Sequence, residues 1–184
     1  MPLTTLDPTS ALIVVDLQKG VASFVASDVF NEVVRCSRQL ADSFRRRGLP
    51  VILVNVAGGA PGRTEQARTL ADLPDDWTEL LPQLDPQTTD HRVTKRTWGA
   101  FTRTDLEDYL RSKSVTQVVI AGVATSIGVE STARQAHELG FNVTLAVDAM
   151  TDLSPQAHLN SVTGIFPRLG ETATTAQILA LLSG

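Results

Sequence analysis

The sequence is poor in the residue types that form disulfide bonds and metal centres. Its 184 residues include one cysteine and three histidines. A single cysteine excludes a disulfide bond within the chain, and no group of cysteines and histidines has the spacing of a zinc site. We therefore expect a protein that works without a metal ion or another cofactor.

Long apolar runs and an excess of positive charge are lacking as well. The first apolar run, Ala11 to Val15, is too short for the core of a signal peptide, and no later run approaches the length of a membrane span. The formal net charge of -4 gives no electrostatic reason to bind nucleic acid or an anionic membrane. We expect a cytoplasmic protein whose partner is a small-molecule substrate, with no nucleic acid and no membrane.

What the sequence does contain is an alternation of short apolar runs with amphipathic stretches of helical length. The strand-like runs occupy residues 11–16, 50–56, 91–95, 117–121 and 141–147, with a short one near 171–174. Buried strands that alternate with helices are typical of a parallel sheet covered on both faces. The pattern predicts one α/β domain over residues 1–184, with three layers (α/β/α) and a mainly parallel six-stranded sheet.

Residues 57–90 interrupt this alternation with many glycines and prolines. So long a segment in a compact domain usually covers a site or forms an interface. We interpret it as a lid or an oligomer loop that contains a short helical turn.

Three polar features come directly after predicted strands, at the sheet edge where open α/β sheets bind ligands. Asp16 must find a partner or stay protonated there, because an isolated buried charge is costly, although it could equally cap the next turn. Lys95 ends another strand, where a single lysine is most often solvated. Residues 122–128 form a glycine-containing turn into a helix, and the first N–H groups of that helix should be free to bind a ligand.

The segment from Gly122 to Arg134 closely resembles the nucleophile motif of the isochorismatase-like (cysteine hydrolase) superfamily. The resemblance extends over nearly the whole chain, through Asp16 with Gln18, Lys95 with Trp98 to Phe101, Asp148 with Ala149, and His158. Taken together, these motifs are specific for the superfamily.

The resemblance implies a site with Asp16 and Lys95 as catalytic residues and Gly128 at the position of the family's cysteine nucleophile. The residues that it implies for substrate binding are Gln18, Trp98, Phe101, Val123, Ala124, Thr125 and Ile127. It also implies a cis peptide bond between Val123 and Ala124.

Two further properties follow from the resemblance. Relatives are commonly homo-oligomers, dimers or larger, so residues 57–90 or 150–170 are expected at an interface. The nicotinamidase branch binds a metal through an aspartate and two histidines after the second strand. Residues 51–75 contain no histidine, so neither that metal site nor nicotinamide as a substrate is expected.

Gly128 has no side chain that could attack a substrate, which excludes covalent catalysis at this position. True isochorismatases of the superfamily also carry glycine there, and they cleave a vinyl ether by protonation and addition of water. The resemblance thus implies a hydrolase of a small, anionic metabolite with Asp16 as the acid. Lys95 should lower the pKa of Asp16 and an apolar pocket should raise it, and the sequence leaves open which effect is larger.

Two alternatives stay open. Ser126 or Thr125 could act as the nucleophile of an amidase or esterase, although no histidine is placed near either by a motif. The protein could instead be a catalytically silent relative that binds a metabolite or acts in an assembly, since a fold does not imply an activity. Cys36 is not expected to replace the missing nucleophile, because it lies on the apolar face of a helix predicted over residues 29–47.

The absence of a thiol from the expected site predicts resistance to thiol reagents. Treatment with iodoacetamide should leave the hydrolysis rate unchanged unless modification of Cys36 unfolds the protein. The measurement is the rate before and after treatment, with a thermal melt of both samples. A lost rate with an unchanged melt would contradict a mechanism without cysteine.

Overall fold

The structure, a computed structural model, describes residues 3–25, 27–65 and 73–183. The strands are β1 (Ser10–Val15), β2 (Val51–Val56), β3 (His91–Lys95), β4 (Gln117–Val123), β5 (Asn142–Thr151) and β6 (Glu171–Ala173). The α-helices are α1 (Lys19–Ala22), α2 (Ser27–Arg46), α3 (Leu106–Ser112), α4 (Glu130–Glu138), α5 (Pro155–Asn160), α6 (Phe166–Leu169) and α7 (Thr175–Ser183). Among these described residues, no helix combines the length and the apolar character needed to cross a membrane.

The strands form one sheet in the order β3-β2-β1-β4-β5-β6, and every neighbouring pair is parallel. The predicted six-stranded sheet is therefore confirmed. The chain moves outward from β1 to β3 and then returns to place β4 on the other side of β1. The carboxyl ends of β1 and β4 thus flank the point at which the strand order reverses, where open α/β sheets bind their ligands.

Strand β1 is the centre of the core, because all six of its residues are buried. Leu12 and Val14 face a cluster that includes residues of α2 and α7. Ile13 and Val15 face a second cluster that includes residues of α3 and α4. Since successive strand residues point to opposite faces, the two clusters cover the two sides of the sheet. The predicted α/β/α layering is confirmed.

The helices that follow β4 and β5 are irregular. The first begins as a π-helical turn, Thr125–Val129, before α4. The second is divided into α5, a π-helical turn at Ser161–Ile165, and α6. Single π turns of this kind are frequent at functional sites. Both β4 and β5 also continue beyond their predicted ends.

The glycine- and proline-rich segment lies partly outside the described residues, which omit 66–72. Its described part includes a short helical turn, Pro82–Leu84. Residues 77–81 run along residues 17–20 and are joined to them by backbone hydrogen bonds of 2.9 to 3.1 Å. This part of the segment therefore covers the chain where it leaves β1. Its role as a lid or interface stays a prediction.

Two valines of α2 provide a matched test of its packing. Val33 is 2% exposed and Val29 is 52% exposed. Val33→Ala should lower the free energy of unfolding by about 2 kcal/mol, because burial contributes roughly 0.8 kcal/mol per methylene-sized group. Val29→Ala has the same effect on helix propensity but removes no buried group, so it should not lower the free energy of unfolding. Urea unfolding of both variants checks this, and equal losses would contradict the described burial of the helix.

Candidate active site

The structure brings Asp16 and Lys95 together, as predicted. The Lys95 Nζ lies 2.7 Å from Asp16 Oδ2 and also donates to the Thr97 carbonyl oxygen at 3.2 Å. Both residues are buried, with exposures of 2% for Lys95 and 6% for Asp16. Because β2 lies between β1 and β3, the lysine side chain crosses the end of β2 to reach the carboxylate.

The two oxygens of Asp16 have different surroundings. Oδ2 accepts from Lys95, whereas Oδ1 is buried and has no hydrogen-bond partner. Burial raises the pKa of Asp16 to about 6, even though the charge and hydrogen bond of Lys95 act to lower it. Burial therefore has a larger effect on the pKa of Asp16 than the neighbouring Lys95 has. The carboxyl group can therefore hold or release a proton near neutral pH.

The turn after β4 places Gly128 beside this pair. Gly122 begins the turn with a φ of +118°, and a Cβ on it would lie 2.0 Å from the Val15 carbonyl oxygen, so no side chain fits there. The expected cis peptide bond between Val123 and Ala124 is present. Gly128 is buried, and a Cβ on it would lie 3.2 Å from Asp16 Oδ2. The three predicted catalytic positions therefore converge at the ends of β1, β3 and β4.

Two backbone amides of the turn are not free, contrary to expectation. The N–H of Ser126 donates to Asp152 Oδ2 at 2.7 Å, and that of Ile127 donates to the Ala124 carbonyl oxygen at 3.0 Å. A carboxylate at the start of a helix commonly takes such amides, because it satisfies their unpaired donors. An anionic ligand would have to use other groups of this turn. Substrate contacts of Val123, Ala124 and Ile127 stay predictions.

Asp152 and His158 make hydrogen bonds at this turn that no sequence motif indicated. Asp152 Oδ2 also accepts from the Ser126 hydroxyl at 2.8 Å. His158 Nδ1 lies 2.8 Å from the hydroxyl oxygen of Thr125. No motif in the sequence places a histidine near Thr125, but the structure does. Asp152 directly follows β5, so the rule that found Asp16 at a strand end could have identified it.

Thr125 is fully buried, and its hydroxyl is engaged by the histidine. Ser126 is partly exposed, and its hydroxyl donates to a carboxylate instead. Of the two hydroxyls considered as nucleophiles, that of Ser126 is thus the more accessible.

Gln18, Trp98 and Phe101, which were expected to contact a substrate, differ in how far they are buried and in where their side chains lie. The side chain of Gln18 is buried and joins the backbone of Val56 to that of Trp77, with hydrogen bonds of 2.7 to 3.1 Å. Trp98 is 61% exposed. The ring of Phe101 lies 6.1 Å from that of Phe141, which precedes β5 at the opposite end of the sheet from Asp16.

The structure therefore does not bring the Phe101 ring to the Asp16–Lys95 pair, and it gives Gln18 a supporting position. Direct contacts of Gln18, Trp98 and Phe101 with a substrate stay predictions.

Helix α4 fixes the loop that follows Lys95. Thr132 accepts from the Ala100 amide at 3.1 Å and donates to the Gly128 carbonyl oxygen at 2.7 Å. One turn later, Gln135 Oε1 accepts from the Phe101 amide at 3.1 Å. The two sides of the site are thereby linked through one helix.

Within residues 3–25, 27–65 and 73–183, no group of three or more histidine, cysteine, aspartate or glutamate side chains could hold a metal ion.

The contact between Gly99 and Gln135 can be tested by a double-mutant cycle. A Cβ on Gly99 would lie 2.2 Å from Gln135 Oε1, so Gly99→Ala should displace this side chain and lower the free energy of unfolding by about 1–2 kcal/mol. In a Gln135→Ala background the same change should cost almost nothing, because the obstructing amide is already removed. Urea unfolding of the three variants gives the coupling, and strictly additive losses would contradict the contact.

Comparison with known proteins places this site in a family. Residues 10–177 match the family described as Isochorismatase domain. An uncharacterized isochorismatase family protein of Bacillus subtilis (strain 168), YwoC, is 40% identical over 177 residues, or 92% of each chain. Another, YecD of Escherichia coli O157:H7, is 40% identical over 182 residues, covering 95% of this chain and 96% of that protein.

A solved structure of an isochorismatase family protein from Burkholderia thailandensis has a TM-score of 0.92 at 40% identity and covers 98% of both chains. The match extends over the strands that carry Asp16, Lys95 and the turn at Gly128. On this basis the chain belongs to the isochorismatase family of hydrolases.

Proposed function

We propose that the protein hydrolyses the enol ether of a small, anionic metabolite by acid protonation and addition of water. The observation that carries this proposal is Asp16, whose buried Oδ1 has no partner and whose pKa is raised to about 6. A carboxyl group with these properties can deliver a proton at neutral pH. Gly128, beside it, provides no nucleophile for a covalent route.

In the first step, the protonated Asp16 carboxyl donates its proton to the terminal carbon of the enol ether double bond. A C–H bond forms, and the adjacent carbon becomes an oxocarbenium ion. Water then attacks this carbon and returns one proton to the Asp16 carboxylate. The hydroxyl proton of the resulting hemiketal passes to the leaving oxygen as the bond between that oxygen and the carbon breaks, which yields a ketone and an alcohol. The acid is regenerated in each turnover, so no other proton donor is required.

Lys95 has three roles in this scheme. It donates to Asp16 Oδ2 at 2.7 Å, which leaves the buried Oδ1 as the carboxyl oxygen without a hydrogen-bond partner. Its fixed positive charge also stabilises the carboxylate that forms when the proton leaves, and a buried charge does this without reorganising solvent. The cation can further attract the carboxylate of an anionic substrate.

A second candidate function is that of an esterase or amidase with Ser126 as nucleophile. The observation in its favour is the hydrogen bond from the Ser126 hydroxyl to Asp152, a carboxylate that can act as a base. The same carboxylate also holds the Ser126 amide, which gives it a structural role that needs no catalysis.

The proposal predicts a falling pH profile. For isochorismate or 2-methoxyacrylate, kcat/KM should be constant below about pH 6 and fall about tenfold per pH unit above it, because only the protonated Asp16 is active. Lys95→Met should lower the rate and move the decline to higher pH, since Lys95 holds the pKa of Asp16 down. Asp16→Asn should lose roughly 100-fold or more, because an amide cannot donate the proton.

Ser126→Ala is the matched control, and it should retain the rate and profile of the wild-type protein. A rate that instead rises with pH through this range would make Asp16 a base and would reject the acid mechanism. Loss of activity in Ser126→Ala, or an acyl group trapped on Ser126 and detected by mass spectrometry, would favour the esterase or amidase.

A further inference from the structure

Strand β1 ends at an unusual backbone conformation of Asp16. The φ of Asp16 is +54°, in the left-handed region that residues other than glycine seldom adopt and keep only where neighbouring contacts impose it. Its N–H donates to the Val54 carbonyl oxygen at 2.9 Å, as the last bond between the backbones of β1 and β2. Beyond this bond the chain turns away from β2. The turned chain therefore needs contacts that hold it, and the end of β2 needs new hydrogen-bond partners.

The side-chain amide of Gln18 supplies those partners. Alternate residues of a strand bond to the same neighbour, so Val56, two positions after Val54, directs its N–H and C=O to the side where β1 has ended. Gln18 Oε1 accepts from the Val56 N–H at 2.7 Å, and Gln18 Nε2 donates to the Val56 carbonyl oxygen at 3.1 Å. One primary amide thus replaces the next peptide group of β1. Gln18 is fully buried, so water does not compete for these bonds.

Gln18 also binds the segment that covers this turn. Its Nε2 donates to the Trp77 carbonyl oxygen at 2.7 Å, and the Trp77 indole N–H donates to the same Val56 oxygen at 3.0 Å. The backbone hydrogen bonds between residues 17–20 and 77–81 continue this contact. The Gln18 amide therefore joins the chain that leaves β1, the end of β2 and the covering segment.

The end of β2 is in turn bonded to the strand that carries Lys95. Val56 pairs with Lys95 in the ladder between β2 and β3, and the Ala57 N–H donates to the Lys95 carbonyl oxygen at 2.9 Å. A continuous series of contacts therefore runs from Gln18, two residues after Asp16, through the end of β2 to Lys95. It connects the backbones of the two residues whose side chains meet at 2.7 Å.

We infer that Gln18 is a positioning residue, whose amide fixes the turn at Asp16 and so keeps the Asp16 carboxyl group buried against Lys95. This inference rests on the proposed function, in which Asp16 is the acid, and identifies the residue that holds the acid in place. The charged side chain that contacts Asp16 is Lys95, from β3, and the turn after β4 presents the uncharged Gly128.

Loss of the Gln18 amide would leave two backbone groups without their partner, the Val56 N–H and the Trp77 carbonyl oxygen. Buried groups of this kind are costly unless water reaches them. Water that enters to solvate them would also reach the turn at Asp16. The burial of the acid therefore depends on a side chain that needs no contact with the substrate.

Gln18→Met tests this role, because methionine has nearly the same length and no amide. Entry of water should reduce the burial of Asp16, which is the largest effect on its pKa, so this pKa should fall. In a carbon-13 NMR titration of the Asp16 carboxyl group, identified through Asp16→Asn, the midpoint should fall by roughly one pH unit or more. For isochorismate or 2-methoxyacrylate, the decline of kcat/KM should move to lower pH by the same amount, which lowers the rate at pH 7 about tenfold.

Gln117→Met is the matched control. Gln117 is also a buried glutamine, and its side chain likewise forms three hydrogen bonds, of 2.6 to 3.3 Å, with Asp7, Thr5 and Thr144. It begins β4, at the edge of the sheet opposite Asp16. Both variants should lose a similar amount of stability in thermal melts, and Gln117→Met should keep the wild-type midpoint and pH profile.

A folded Gln18→Met protein whose Asp16 midpoint lies within about 0.3 pH units of the wild-type value, or above it, would overturn the inference. An equal shift in Gln117→Met would do the same, because it would make the shift an effect of lowered stability. If Gln18→Met does not fold, Gln18→Asn takes its place, since its shorter amide cannot span Val56 and Trp77. Unfolding of both Gln18 variants beside a folded Gln117→Met would assign Gln18 to the fold as a whole and would also reject the role at Asp16.

The two proposals fail in different ways. The NMR titration needs no substrate, so absence of enol ether hydrolysis by the wild type rejects the proposed function, and the Asp16 midpoint then decides alone on the role of Gln18. Hydrolysis by the wild type, combined with an unchanged midpoint in Gln18→Met, rejects the positioning role and leaves the acid mechanism standing.

Discussion

The cost of burying charge is the constraint on which this site depends. Asp16 and Lys95 both lie beneath the surface, and two isolated charges there would be far less stable than the pair. The pairing is incomplete, because one carboxyl oxygen has no partner and burial raises the pKa of the acid to about 6. The same desolvation that weakens the ion pair therefore gives the carboxyl group a proton to use near neutral pH.

Parallel strand topology brings the participating groups to one place. Four strands end at the same edge of the sheet, and each carries part of the candidate site at or just after its end: Asp16 after β1, Lys95 at the end of β3, the glycine turn after β4 and Asp152 after β5. The apolar runs that form the core thus also position the polar residues. Helix α4 then links the two sides through Thr132, which contacts both Gly128 and Ala100.

The strands could be predicted because they depend on local patterns of apolar residues, whereas the Asp16–Lys95 contact was expected only from the resemblance to the superfamily. The position of Asp152 at a strand end follows a local pattern, but its hydrogen bond with Ser126 and the one between His158 and Thr125 depend on how the chain packs around a π-helical turn. The direction of the Phe101 ring likewise depends on side-chain packing at the far end of the sheet. The pKa of Asp16 could not be predicted either, because it depends on how deeply Asp16 and Lys95 are buried.

The contacts around Gly128 also bear on how such a site can evolve. The codons of glycine and cysteine can differ by a single base. A Cβ at position 128 would lie 3.1 to 3.3 Å from its nearest neighbours, which would have to move by only a few tenths of an ångström. A cysteine introduced at position 128 by one mutation would lie beside the Asp16 carboxylate, which is paired with the buried Lys95. Under the proposed non-covalent mechanism, a single nucleotide change would therefore add a candidate nucleophile to this site while the rest of the chain is retained.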